Sequence, residues 1–245
     1  MWPNRPHVPE ETAPVDPPRW VVSVDLAQGG ADWTALSVVA SQLRSPADGV
    51  EHRVIHLERW HDARTSLIPE RVQAVSQVLR AQHAVRDLQA FGRSPVTTPH
   101  ISLLVDRTGV GPFGLDPLRA AGFTPIGITI TGGDAVTRDD AGGYRVPKRD
   151  LAGAVQVTLQ ARRLRVVGAL PLAEALRSEL QNFRAKISLS GHDSYGAGAD
   201  WRVGSHDDLV LSVAMAVWFG ERNRGTIEFN PPAIVAAMSR QLEPR

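Results

Sequence analysis

Residues 20–26 read Trp20-Val21-Val22-Ser23-Val24-Asp25-Leu26, and residues 100–106 read His100-Ile101-Ser102-Leu103-Leu104-Val105-Asp106. Both are short, β-branched, nearly continuous apolar runs that end on an aspartate, and a glycine turn follows each: Gly29-Gly30 after the first, Gly109 and Gly111 after the second. Such runs predict buried strands. An acid where a buried strand surfaces has a job there, either starting a turn or holding a ligand.

After the first strand, Trp33–Ala40 and Glu51–Trp60 are two further β-rich runs, the second carrying Val54, Ile55 and Leu57. Their close spacing predicts an antiparallel meander of three strands. From Ser66 the period changes. Ile68, Val72, Val75 and Leu79 recur at helical spacing, with Pro69 near the start, where a helix tolerates it. Beyond the second acid-ended strand come a short helix around Leu115–Ala121 and a strand at Phe123–Ile130. Helices are expected at about Lys148–Arg162 and at Pro171–Phe183, the latter with Leu172, Leu176, Leu180 and Phe183 on one face. Ser188–Gly204, holding Gly191, Gly196 and Gly198, reads as a loop or hairpin. Ser205 then reads as the N-cap of a last helix striped with Leu209, Val213, Ala216 and Val217. Three adjacent strands, then strands joined by helical crossovers, predict an α/β fold: a ribonuclease-H-like mixed sheet with helices on both faces.

Residues 1–18, with six prolines, are expected to form an extended arm. Residues 19–222 form the expected domain and 223–245 a tail, in which Ile234, Val235 and Met238 suit a short docking helix. The absence of cysteine excludes disulfides and thiolate chemistry and fits a reducing cytoplasm. No apolar run reaches membrane-spanning length, and the start has no signal-peptide core. Net charge is only +1, but the stretch Arg138–Lys186 is locally basic. Within it Arg138, Arg145, Lys148 and Arg149 suit contacts to a phosphate backbone.

A third acidic position opens the last helix, in Ser205-His206-Asp207-Asp208-Leu209-Val210. If the two acid-ended strands are neighbours, Asp25 and Asp106 project side by side, and the helix start can bring Asp207 or Asp208 against them. Crowded carboxylates repel one another, and a hard divalent cation relieves that repulsion. Mg²⁺ or Mn²⁺ is therefore the expected cofactor, and two ions the expected number for in-line attack on a phosphodiester. Asp32 is an accessory acid. His206 adjoins the pair as a proton carrier, a phosphate contact or a packing group. Acids in a first helical turn also favour the macrodipole without any metal. Trp33 reads as core rather than as a stacking platform for bases.

Four segments, in order, resemble motifs of the nuclease domain of phage large terminases. They are Val24-Asp25-Leu26-Ala27 with Gly29–Leu36; Val105-Asp106-Arg107-Thr108-Gly109-Val110-Gly111; Val146-Pro147-Lys148-Arg149-Asp150-Leu151; and Ser205–Val210. The resemblance spans about residues 20–220. It implies metal-dependent endonuclease cleavage of double-stranded DNA during genome packaging, in the cytoplasm of a bacterial host from a phage or prophage gene. Asp25, Asp106 and Asp207 or Asp208 would be the metal ligands, and a terminase motor subunit, small terminase and portal the partners. Neither Lys148 nor Lys186 follows a glycine, so the phosphate-cradling loop of an ATP motor is missing from these 245 residues. Rival readings keep the fold and change the substrate (an RNA–DNA hybrid nuclease, a resolvase or a transposase-like enzyme), or drop catalysis for a DNA-binding or assembly module.

Overall fold

The structure, a computed structural model, describes residues 18–27, 33–45, 47–61, 67–91, 99–189 and 207–223. Of the sequence expectations, the arm before Pro18, the tail after Asn223, Asp32, His206 and the glycines at 191, 196 and 198 lie outside these residues.

Eight strands form one mixed sheet: β1 Arg19–Asp25, β2 Thr34–Ser45, β3 Gly49–Trp60, β4 Ile101–Asp106, β5 Ile126–Thr131, β6 Thr137–Arg138, β7 Tyr144–Pro147 and β8 Leu164–Val166. Their order across the sheet is β6-β7-β5-β4-β1-β2-β3-β8. The meander β1-β2-β3 is antiparallel, whereas β4 pairs parallel with β1, β5 with β4 and β7 with β5. Antiparallel neighbours can be joined by short connections, whereas parallel ones require crossovers. This is the ribonuclease-H-like arrangement.

Helices cover both faces, as the strands demand: β1 is buried along its length, so each alternate set of side chains needs its own layer. Trp20, Val22 and Val24 pack with Leu103, Val105 and Leu36 under α1 (Leu67–Phe91) and α2 (Asp116–Ala120). Val21, Leu104, Ala35 and Val54 face the other way, under α3 (Lys148–Gln160), α4 (Ala173–Leu189) and α5 (Asp208–Arg222). Among these α5 is the central helix: Leu209 to Phe219 are all buried.

Several local readings are corrected. The last helix starts from Asp207, not Ser205. The third helix ends at Gln160, and Arg162 then adopts φ 55, a left-handed turn into β8. The fourth helix runs on through Ser188 and Leu189, which the composition had assigned to a loop. Strands β6, β7 and β8 have no counterpart in the sequence pattern. They are two to four residues long, too short to show a period, and the sheet edge recruits them.

α5 crosses the sheet with a defined direction. Arg19, which opens β1, donates through its guanidinium to the Asn223 carbonyl at the far end of α5. A Cβ on Gly220 would stand 2.7 Å from Ser41 Oγ and 2.8 Å from His52 Cε1, so the helix end lies directly on β2 and β3 there. Ser41 is the register partner of Arg19. The 15 residues of α5 span about 22 Å at 1.5 Å each, and the 7 residues of β1 about the same at 3.3 Å each. Since α5 runs back along β1, its first residues reach the end where β1 and β4 terminate.

Candidate active site

The parallel register of β1 and β4 runs from Trp20↔Ile101 to Val24↔Val105. One step further are Asp25 and Asp106, on the face shared by Val21 and Leu104. Adjacent strands lie roughly 4.8 Å apart, so the two carboxylates leave neighbouring backbones in the same direction. Both are buried, at 6% and 1% exposure.

Asp106 is fixed by its own turn. Its Oδ1 accepts from the Thr108 backbone N–H at 2.7 Å and from the Thr108 hydroxyl. That hydroxyl in turn accepts from the Ile130 N–H at 2.7 Å, which ties the turn to β5. The turn-forming role of this aspartate and its place at the site are therefore compatible: one oxygen builds the turn, and Oδ2 remains buried beside it. Arg107 points to the opposite face, where its Nε donates to Thr129 Oγ1 at 3.0 Å and its guanidinium pairs with Asp139.

Asp207 and Asp208 arrive with the start of α5. Asp207 is the N-cap residue, yet its side chain makes no capping hydrogen bond. Its Oδ2 lies 3.8 Å from Lys148 Nζ, at the end of β7. Lys148 thereby faces Asp207, and its ammonium also lies 5.6 Å from the centre of the Phe183 ring.

Sequence reasoning missed Glu179, on α4. Its Oε2 accepts from the Leu209 and Val210 N–H groups at 3.1 and 3.2 Å, so it caps α5 from another helix. Its Oε1 accepts from Arg59 at 3.3 Å. Burial pushes the Glu179 carboxyl up from 4.5 to about 7, and the nearby Asp208 charge adds to that rise; the α5 amides and Arg59 oppose it. The signal was present in the spacing. Glu179 stands three residues after Leu176 and four before Phe183 and is buried with them, while Leu172 and Leu180 pack against the same core as partly buried neighbours.

Arg59 belongs to the same row. Across the sheet Asp25 pairs with Ala35, and Ala35 with Arg59. The guanidinium lies 4.7 Å from the centre of the Trp33 ring. Trp33 is half-buried at the rim of the site rather than a core residue.

The remaining basic candidates separate. Arg149 follows Lys148 but pairs on the surface with Asp134 at 2.7 Å. Arg145 alternates with the buried Tyr144 and Val146, so it points to the face away from the acids. Arg138 lies over the Tyr144 ring, at the end of β7 remote from Lys148.

Asp25 and Asp106 thus stand at the carboxyl ends of two adjacent parallel strands, where open α/β sheets bind ligands, and the start of α5 with Asp207 and Asp208 is directed toward that end. An all-oxygen set suits Mg²⁺ or Mn²⁺ rather than a thiophilic metal, so the donor chemistry fits. Among the described residues, however, no three acid or histidine side chains close into a metal-ligand group. Among the described residues, too, no helix is long and apolar enough to cross a membrane.

No protein-family model matches the chain, and no curated protein does. Similar solved structures include the human cytomegalovirus terminase nuclease domain, Mn-soaked and inhibitor-bound, at 12% identity over 87% of this chain and 89% of that one, with a TM-score of 0.39. A second structure of that domain is 14% identical over 83% of this chain and 85% of that one, with a TM-score of 0.43. The Thermus thermophilus RuvC structure is 14% identical over 84% of this chain and 95% of that one, with a TM-score of 0.30.

Proposed function

We propose that this chain is a divalent-metal-dependent nuclease acting at the β1/β4 strand ends, and that its substrate is double-stranded DNA. The observation that carries the proposal is the parallel register that sets Asp25 beside Asp106 on the face crossed by α5. Asp25, Asp106 and one or both of Asp207 and Asp208 would hold Mg²⁺ or Mn²⁺. When bound, the metal supplies the charge that activates water and neutralises the attacked phosphate.

The chain's own residues then have distinct tasks. Thr108 holds Asp106 in one orientation through its hydroxyl and amide. Lys148, at the margin of the acids, balances part of their charge and gives an entering phosphate a cationic contact. Arg59 holds Glu179. A role in phage genome packaging, with a motor subunit, small terminase and portal as partners and a bacterial cytoplasm as its place, is supported by the four sequence motifs.

Supercoiled plasmid, an RNA–DNA hybrid and a four-way junction, each incubated with Mg²⁺ or Mn²⁺ and with EDTA, test the assignment. The expected result is metal-dependent nicking and linearisation of plasmid, lost in Asp25→Asn and in Asp106→Asn while both variants stay folded. Preference for the hybrid or junction would replace the substrate assignment. Undiminished cutting by both variants would remove the site, and DNA binding without cutting would leave a noncatalytic module.

A further inference from the structure

A helix start leaves its first amides without intrahelical partners, and an aspartate at the N-cap ordinarily accepts from one of them. Asp207 holds the N-cap position, and its backbone carbonyl accepts from the Leu211 N–H at 2.8 Å, so the helix begins there in the normal way. Its carboxylate nevertheless makes no capping bond. The acceptor for the Leu209 and Val210 amides comes from Glu179 instead. Glu179 is fixed from its other side by Arg59, and Arg59 by the Trp33 ring.

We propose that Glu179 is a positioning residue that caps α5 in place of Asp207, so that the Asp207 carboxylate stays beside Lys148 instead of folding back onto its own helix. The inference rests on the nuclease reading for what that carboxylate is kept for. Without an acceptor at 179, the nearest replacement is Asp207 itself, one residue before the helix. The helix would then recover a cap and much of its stability, and the site would lose a ligand. Glu179 therefore contributes more to metal binding than to folding.

The test uses the full chain and Mn²⁺ alone, with free Mn²⁺ measured by electron paramagnetic resonance and stability by thermal unfolding. Glu179→Ala removes the acceptor, and Glu179→Met removes it while filling the space, which guards against a failure to fold. Glu179→Gln restores an acceptor. Gly220→Ala, which perturbs the far end of the same helix, is the control for general loosening of α5. The expected result is a Mn²⁺ affinity about tenfold or more below wild type in the Met and Ala variants, the range of losses seen for residues that orient metal ligands. Glu179→Gln, which keeps the acceptor, should not show that tenfold loss, and Gly220→Ala should bind normally despite a lower Tm. Wild-type affinity in Glu179→Met, or a loss shared by Gly220→Ala, would overturn the positioning role and leave the nuclease reading standing. Weak binding by Glu179→Gln would mean that the charge itself matters, which also overturns it. Failure of the wild-type chain to bind Mn²⁺ would remove the nuclease reading and this inference together.

Discussion

Metal-free stability should fall as pH rises through the range in which Glu179 loses its proton, and Glu179→Gln should abolish that fall. The carboxyl is pushed from 4.5 up to about 7, with burial as the main cause; its side chain is only 8% exposed. Below about pH 4.5 the group is protonated in both folded and unfolded chains, and it contributes no pH dependence. Between 4.5 and about 7 the folded chain keeps the proton that the unfolded chain has released, so stability declines with each step upward in pH. Above about 7 both forms are ionised and the cost of the buried charge is complete. A rise of this size corresponds to about 3 kcal/mol, an upper figure because water reaching the opened helix start would soften it. The assay is urea unfolding in EDTA at pH 5, 6, 7 and 8 for wild type and Glu179→Gln. Subtracting the two curves cancels the other titrating groups to the extent that they are independent of position 179. The expected difference curve drops by roughly 2–3 kcal/mol across the series and levels off above pH 7. Parallel curves, or a difference that rises with pH, would refute the reasoning.

Thr108→Val removes the hydroxyl that both donates to Asp106 and accepts from the Ile130 amide. It should cost about 1 kcal/mol, because the part-buried Ile130 amide loses its acceptor, and should lower plasmid cleavage by about tenfold or more; unchanged cleavage rates would show that Asp106 needs no such support. Gly220→Ala places a methyl against Ser41 and His52 and should lower unfolding free energy by about 1–3 kcal/mol, read from urea midpoints; wild-type stability would mean that α5 can lift from β2 and β3 without cost. Lys148→Ala should weaken plasmid binding and flatten the slope of log affinity against log salt by about one unit; an unaltered slope would place Lys148 outside the phosphate path.

Much of this protein was legible along the chain. Trp20–Leu26 and Ile101–Asp106 announce themselves because a strand buried on both faces must be apolar at successive positions, and the aspartate in each run marks where the strand ends, still buried. The same local logic yields α1, from its apolar stripe, and α5, whose apolar residues run almost without a break over Leu209–Phe219 because every side of it is covered. Other features are properties of pairs of elements. Nothing within Thr137–Arg138 or Leu164–Val166 declares a strand, since an edge strand a few residues long is held by the hydrogen bonds its neighbour offers. That Arg145 points away from the acids and Lys148 toward them follows from the register of β7. The capping of α5 depends on Glu179, which is separated from Leu209 by 30 positions and from Arg59 by 120. A sequence records, residue by residue, how much water each side chain must leave. Which carboxylate meets which amide is decided only when the helices pack.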